Sequence, residues 1–320
     1  MKPFYCSLLF VLSAVFAFNS TLDAQNHWPR DFQNIGDNYL EVGPKLYDRP
    51  GDDFGFGVLI DSDTEAVLLD SGDISDLGGG SGAEVRFGWT GHNNQKWEVR
   101  TFLANWDSEF AFDQPGLTSP LSPDLDPGAI DLAYDSQIYS IEINAHRPIT
   151  PGLTLLAGPR FISFNEEIRF TTETTVPIPP LLDAEVLSEN TIETRNPLLG
   201  AQVGALINYQ ISRDIYAQGF VRAGGYVNFT ELRTTADTNL TDETITLLRR
   251  NSSSFVGEVG GKIYVDMIPG LFSGFVGYEA TWIDSVALAP AQALNPTPDA
   301  IFSRVTPFFH ALTFGVQFRR

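Results

Sequence analysis

From about residue 38 to its end, the chain alternates between apolar and polar positions. Residues 139–145 are apolar at odd positions, with Ser140, Glu142 and Asn144 between them. Residues 308–318 carry apolar or aromatic side chains at even positions. Because successive side chains of a strand point to opposite faces, this alternation predicts β-strands that each present one apolar face.

We predict about ten such strands, with a range of 8–12, and most reach the roughly 9–11 residues that a tilted strand needs to cross a bilayer. Their expected positions are 38–47, 82–90, 95–106, 135–146, 152–164, 197–210, 213–228, 252–266, 271–286 and 305–318.

The connections between these strands fall into two length classes. The short ones are 91–94, 147–151, 211–212 and 267–270, and the long ones are 48–81, 107–134, 165–196, 230–251 and 286–304. Long and short connections alternate along the chain, which brings both termini to the short-turn end of a barrel. The pattern predicts an all-β fold: a single transmembrane antiparallel up-and-down β-barrel with long, solvated outer loops and short periplasmic turns.

The amino terminus has the pattern of a targeting segment. Lys2 precedes an uncharged and mostly apolar run at residues 4–18, which is short for a membrane-spanning helix. We predict a signal peptide over residues 1–24, cleaved after Ala24, then a short periplasmic lead-in over 25–37 and the barrel over 38–318. Cys6, the only cysteine, would leave with the signal peptide, so no disulfide is expected.

Composition excludes several protein classes. The net charge of −20 argues against a duplex nucleic-acid binder, which needs cations facing the phosphates. With 43% apolar and 19% charged residues, the chain is too apolar to be disordered and too poor in charge for a coiled coil. No later segment reaches 18 uninterrupted apolar residues, so contact with a membrane would be made by strands.

Charged residues share the parity that faces the interior of the predicted barrel. If the facing residue numbers of strands 82–90 and 95–106 sum to 184, Arg86 faces Glu98 and Glu84 faces Arg100. Two interpretations are open: a structural salt-bridge core that fills a narrow barrel, or a charged constriction that controls ion passage. The other charged residues with inward parity are Glu142, Arg160, Arg222, Glu258 and Lys262.

One acidic segment is a candidate calcium site. Asp70, Asp73 and Asp76 are spaced carboxylates in a turn-rich stretch, and such oxygens can ligate Ca²⁺. The segment lacks the EF-hand pattern, and a solvated acidic loop is the alternative interpretation. We expect no other metal and no cofactor.

The histidines argue against an enzyme. His27, His92, His146 and His310 all lie outside the predicted long loops, so a histidine-activated nucleophile there would lack its base. The sequence contains no Gly-x-Ser-x-Gly, His-Glu-x-x-His or phosphate-loop motif. We therefore expect a protein that is not an enzyme.

The signal peptide, the alternating strands and the terminal 308–318 run resemble bacterial outer-membrane β-barrel proteins. The segments 41–44 (EVGP), 97–100 (WEVR), 139–142 (YSIE) and 157–161 (AGPRF) are similar to those of a family of predicted barrels with no assigned activity. The resemblance implies two partners, the lipid of the outer membrane and the barrel-assembly machinery. It also implies an assembly signal at Phe314, Val316 and Phe318, although Arg319 and Arg320 follow the terminal aromatic residue.

These observations predict an integral protein of the bacterial outer membrane with a structural, narrow-channel or surface-interaction role. The extracellular ligand in the last case is unknown. Two alternatives remain: an outer-membrane hydrolase that uses loop carboxylates, and a secreted soluble β-sandwich that binds carbohydrate.

Overall fold

The structure is a computed structural model that describes residues 38–50, 57–61, 67–70, 73, 78–91, 95–113, 117–118, 129–178, 182–239, 241–293 and 300–320. The predicted signal peptide and lead-in lie outside these residues. No helix in the described ranges has the length and apolar character needed to cross a membrane.

Thirteen strands and one short helix are described. They are β1 (Asn38–Arg49), β2 (Gly57–Asp61), β3 (Val67–Asp70), β4 (Gly78–Thr90), β5 (Lys96–Asp113), β6 (Leu117–Thr118), β7 (Ala129–Thr150), β8 (Leu153–Ile178), β9 (Leu182–Gln210), β10 (Ile215–Thr238), β11 (Thr241–Ile268), β12 (Phe272–Ile283), α1 (Ala289–Ala293) and β13 (Phe308–Arg319).

Ten of the strands form a closed barrel in the order β1-β4-β5-β7-β8-β9-β10-β11-β12-β13, and each barrel strand is antiparallel to its neighbours. The seam joins β1 to β13, where Leu40 faces Phe318 and Asp48 faces His310. The predicted ten-strand up-and-down barrel is therefore confirmed. The remaining strands form a small sheet, β3-β2-β6, built from two of the outer connections.

Short turns connect the strands at one end of the barrel, as predicted. Two residues separate β7 from β8, four separate β9 from β10, and three separate β11 from β12. Gly270 in the last of these turns has a φ of +73°, a conformation that glycine adopts without steric cost.

At their outer ends, several strands are longer than the sequence predicted. The predicted solvated loops at 165–196 and 230–251 are wrong over their described residues, because β8 and β9 stay paired as far as Ile178 and Leu182, and β10 and β11 as far as Thr238 and Thr241. Residues 107–113 and 129–134 also continue β5 and β7. The six strands from β5 to β11 in the barrel order are 18–29 residues long, whereas β12, β13, β1 and β4 have 12 or 13.

The outward face of the barrel carries an apolar belt above the short turns. Just beyond the belt, outward positions become amides at Asn105, Gln137 and Asn165 and then carboxylates. A closed barrel with this band is an integral β-barrel protein of the bacterial outer membrane. Exposed members of the belt include Leu40, Val42, Phe87, Leu103, Ile141, Ile143, Leu155, Leu199, Val203, Ile263, Val276, Leu312 and Phe314.

Candidate functional site: the occluded lumen

A layer of charged side chains fills the lumen at the height of the apolar belt. Among the described residues, six acids and six bases belong to it, each with 3% exposure or less. The layer is therefore balanced in formal charge, although the whole chain carries −20. Its members are Glu41, Lys45, Glu84, Arg86, Glu98, Arg100, Glu142, Arg160, Arg222, Glu258, Lys262 and Glu279.

Glu84 and Glu258 are the centres of this layer. Glu84 accepts hydrogen bonds from Arg86 Nε and Arg100 Nε, each at 2.7 Å, and its Oε1 lies 3.0 Å from Lys262 Nζ. Glu258 accepts from Arg160 Nη2 at 2.7 Å, Arg100 Nη1 at 3.0 Å and Arg222 Nη1 at 3.2 Å. Arg100 therefore links the two centres across the lumen.

The predicted facing pairs of β4 and β5 were wrong, because the register differs from the predicted one by two residues. The facing numbers of β4 and β5 sum to 186, so Arg86 faces Arg100, Glu98 faces Gly88 and Glu84 faces Phe102. A shift of two residues preserves which side chains face inward but changes the partners. The four charged side chains are all buried in the lumen, yet Arg86 and Glu98 are not facing residues.

Glu98 lies instead at the periplasmic side of the layer, where Tyr39 Oη donates to its Oε2. Its Oε1 is 3.8 Å from His146 Nε2 and 3.9 Å from Arg222 Nη2. Glu142 faces Arg160 across β7 and β8, with 3.4 Å between Glu142 Oε2 and Arg160 Nε. The residues predicted from parity are thus brought into one interior network.

Above the charged layer the interior becomes apolar. Trp106 packs edge-on against Tyr47 with 5.3 Å between ring centroids, and Phe309 contacts both Trp106 and Phe164. Ile168 is also buried here. This upper core resembles the interior of a soluble protein, and sequence analysis did not predict it.

The connection after β12 folds inward and caps this core. The prediction of a solvated loop is wrong for residues 286–292, where Val286, Ala287, Leu288 and Ala289 have no exposed surface. The signal for this burial was the apolar run at 286–291, which a solvated loop does not require.

Two polar side chains of the tall strands hold the cap. Asn196 Nδ2 donates to the Ala287 carbonyl at 2.8 Å, and Asn196 Oδ1 accepts from the Ala287 amide at 3.0 Å. Glu166 Oε2 accepts from the Ala289 amide at 2.8 Å. These bonds satisfy backbone groups that would otherwise be buried without partners.

Glu166 also pairs with Arg49 across the lumen, with 2.5 Å between Oε1 and Nη1. The Arg49 guanidinium lies within 6.0 Å of the ring centroids of Tyr134, Phe164 and Phe309. Tyr134 Oη donates to Glu166 at 2.7 Å. Burial is the largest cause that raises the pKa of Tyr134 well above its ordinary value, so this hydroxyl stays a neutral donor.

The proposed assembly residues lie on the lipid-facing side of β13. Phe314 and Phe318 are exposed, and the Phe318 ring centroid is 5.0 Å from that of Phe272. Val316 faces Val42 across the seam and Gly274 on β12. Their role as a signal stays a prediction.

The calcium candidate is only partly described. Asp70 ends β3, Asp73 is exposed, and Asp76 lies outside the described residues. Within the described ranges, no group of three histidine, cysteine or acidic side chains could hold a metal ion. Calcium binding therefore stays a prediction, and the described residues give it no support.

Two histidines can be placed. His146 is buried in the lumen beside Glu98, and His310 Nε2 lies 3.0 Å from Asp48 Oδ2 on the outward side of the rim. His27 and His92 lie outside the described residues. Sequence analysis missed the Asp48–His310 pair, because only barrel closure brings β1 beside β13.

Comparison with known proteins yields structures but no sequence relatives. No family model matches the chain, and no curated protein matches it in sequence. The translocator domain of the autotransporter NalP from Neisseria meningitidis aligns at 10% identity with a TM-score of 0.40, covering 98% of this chain and 97% of that one. The outer-membrane protease OmpT from Escherichia coli aligns at 7% identity with a TM-score of 0.37, covering 88% and 96%. A FadL homologue from Pseudomonas aeruginosa aligns at 9% identity with a TM-score of 0.29, covering 88% and 90%.

Proposed function

We propose that the protein is a closed outer-membrane barrel that acts through its extracellular wall, and that it does not conduct solutes. The observation that carries this proposal is the filled lumen. The balanced charged layer occupies the membrane height, and the cap closes the apolar core above it.

The pairing of the charged layer supports closure. An ion crossing it would have to displace side chains that are already paired and desolvated, such as Arg100 between Glu84 and Glu258. Separating a buried pair strands a charge at low dielectric, which typically costs about 3–5 kcal/mol. The layer is therefore a barrier and not a selective passage.

The tall strands support a surface role. The hairpin of β10 and β11 rises beyond the belt and exposes Ile245 and Leu247 among polar neighbours. Apolar side chains exposed to water on an ordered sheet are typical of contact surfaces. We infer that this wall contacts an extracellular partner.

Conductance in planar bilayers tests closure. We expect no steady conductance from the wild type, nor from a variant in which residues 287–304 are replaced by a short glycine-serine linker, because the charged layer remains. Conductance should appear when that replacement is combined with Glu84→Ala and Arg100→Ala, which removes a bonded pair without changing net charge. Heat-modifiable gel migration checks that each variant is folded.

A steady, large conductance from the wild type would contradict the proposal. If the cap replacement alone conducts as well as the combined variant, the cap and not the charged layer closes the barrel. Assays with outer-leaflet lipid and peptide substrates separate this role from the hydrolase alternative, and we expect no turnover.

A further inference from the structure

A groove of about 340 Å³ indents the lipid-facing surface across β9, β10 and β11. Its floor is made by Ala223 and Gly225 of β10, which place almost no side chain on the surface. Ala201 and Phe255 face Gly225 from the two neighbouring strands, and Val203 faces Ala223. The groove lies within the apolar belt, so only hydrocarbon can be its environment in the membrane.

Three arginines stand above the groove on the same outward face. Arg195 of β9, Arg233 of β10 and Arg249 of β11 lie beyond the belt, and the side chains of Arg195 and Arg249 are 55% and 71% exposed. Two carboxylates lie among them. Glu193 accepts from Arg195, and Glu231 Oε2 accepts from Arg249 Nε at 2.8 Å.

These ion pairs leave the guanidinium groups available to a ligand. Exposed salt bridges contribute only about 0–1 kcal/mol, whereas a guanidinium binds phosphate through two parallel hydrogen bonds. A third carboxylate, Glu167 of β8, faces Glu193 and is itself bonded to Arg169 at 2.8 Å.

The spacing of groove and arginines matches one lipid leaflet. Gly225 and Glu231 are six residues apart on β10, or roughly 20 Å along the strand at about 3.3 Å per residue. With a strand tilt of about 40°, this is roughly 15 Å along the membrane normal, which is half of the ~30 Å hydrocarbon core. A chain anchored at the arginines would thus reach the groove with its end.

We propose that this face binds one outer-leaflet lipid with a phosphorylated headgroup. One acyl chain lies in the groove over β10, and a phosphate lies between Arg195, Arg233 and Arg249. The site rests on the membrane placement of the barrel and is independent of whether the lumen is closed. A second copy of this chain is the competing occupant.

Two glycines of β10 provide a matched pair of variants. A Cβ added at either Gly225 or Gly219 would meet no atom within 4 Å, so leucine fits at both positions. Gly225→Leu fills the groove, whereas Gly219→Leu adds the same side chain to the same face, six residues nearer the periplasmic turn. Ala223→Leu is a second way to fill the groove if Gly225→Leu folds poorly.

Native mass spectrometry in detergent, with added bis-phosphorylated lipid A or its phosphate-free form, measures retention. We expect the wild type and Gly219→Leu to retain one phosphorylated lipid, and Gly225→Leu to lose retention at least tenfold. Arg195→Gln with Arg249→Gln should abolish the preference for the phosphorylated form while leaving migration of the folded protein unchanged.

Three results would overturn the proposal. Equal retention by Gly225→Leu and Gly219→Leu would show that the groove holds no chain. Equal binding of both lipid forms by the wild type would show that the arginines do not bind the phosphate. A wild-type dimer that only Gly225→Leu dissociates would assign the groove to a second copy.

Discussion

The membrane half and the extracellular half of the barrel have opposite polarity on the same strands. On β8, Arg160 points into the lumen and Phe161 points outward, but a few residues farther Ile168 points inward and Glu167 outward. Side-chain direction is fixed by the strand and does not change. What changes is the medium outside, from lipid to water. The membrane boundary is therefore marked by a change in the polarity of the outward side chains, while the alternation of inward and outward positions continues across it.

The two halves are also stabilised differently. In the membrane half, moving apolar side chains from lipid into the lumen gains no hydrophobic free energy. The interior there holds charged side chains, each of which must be paired. In the extracellular half, residues such as Trp106, Phe164 and Ile168 leave water on folding and contribute apolar burial, at about 25 cal/mol per Å². One chain therefore combines a charged interior in the membrane half with an apolar core in the extracellular half.

Removing Arg100 should have the largest effect. Arg100→Ala removes the guanidinium that bonds to Glu84, Glu258 and Glu279 in the membrane half, and we expect a loss of about 3–5 kcal/mol. The control is Arg233→Ala on the outward face of the extracellular half, where we expect a change within about 0.5 kcal/mol. Urea unfolding in detergent micelles measures both, and equal losses would refute the distinction between the halves.

The extracellular core should respond to lost volume. Ile168→Ala removes buried apolar atoms above the charged layer, so we expect a loss of about 2–5 kcal/mol. Arg169→Ala, one residue farther on the exposed face of β8, should cost less than about 1 kcal/mol. If both variants unfold at the wild-type urea concentration, the upper core contributes nothing to stability.

The change in outward polarity also determines how much of each strand is predictable from the sequence. The predicted strands ended near residues 106, 164 and 228, where outward positions change from apolar to polar. Beyond those points β5, β8 and β10 continue, with apolar residues at inward positions such as Phe110, Ile168 and Leu232. A search for an apolar outward face therefore stops at the membrane boundary while the strand does not.

The candidate site was predictable only in part, for a related reason. Parity identified Glu84, Arg86, Glu98 and Arg100 as inward residues, and parity survives any register shift of two. The facing partners depend on the register of β4 against β5, and alternation alone does not distinguish registers that differ by two residues. The cap depends on long-range contacts, such as Asn196 with Ala287, that no local pattern contains.

An arginine scan along β9 would locate the boundary. Val203 and Leu187 lie on the same outward face, 64% and 44% exposed. Val203→Arg places a charge in hydrocarbon and should cost about 2–4 kcal/mol, depending on its depth in the bilayer. Leu187→Arg lies in water and should change stability by less than about 0.5 kcal/mol. Folding in lipid vesicles followed by urea titration measures both. A cost at Leu187 as large as that at Val203 would move the boundary outward.

The smallest effects are expected at the carboxyl terminus, where assembly and stability should separate. Phe318→Ala removes a lipid-facing ring that packs on Phe272, and deleting Arg319 and Arg320 removes a cation bonded to Gln317 and two backbone hydrogen bonds to Asn38. In the purified barrel Phe318→Ala should cost about 1 kcal/mol, the typical worth of a ring pair, and the deletion about 1.5–3 kcal/mol, because the bond from Arg319 to Gln317 is buried and charged. In cells, however, Phe318→Ala should lower the folded fraction more, since the assembly machinery is expected to read the aromatic residue. Heat-modifiable migration of outer-membrane fractions measures that fraction. If the deletion lowers it more than Phe318→Ala does, the terminal arginines and not the ring guide assembly.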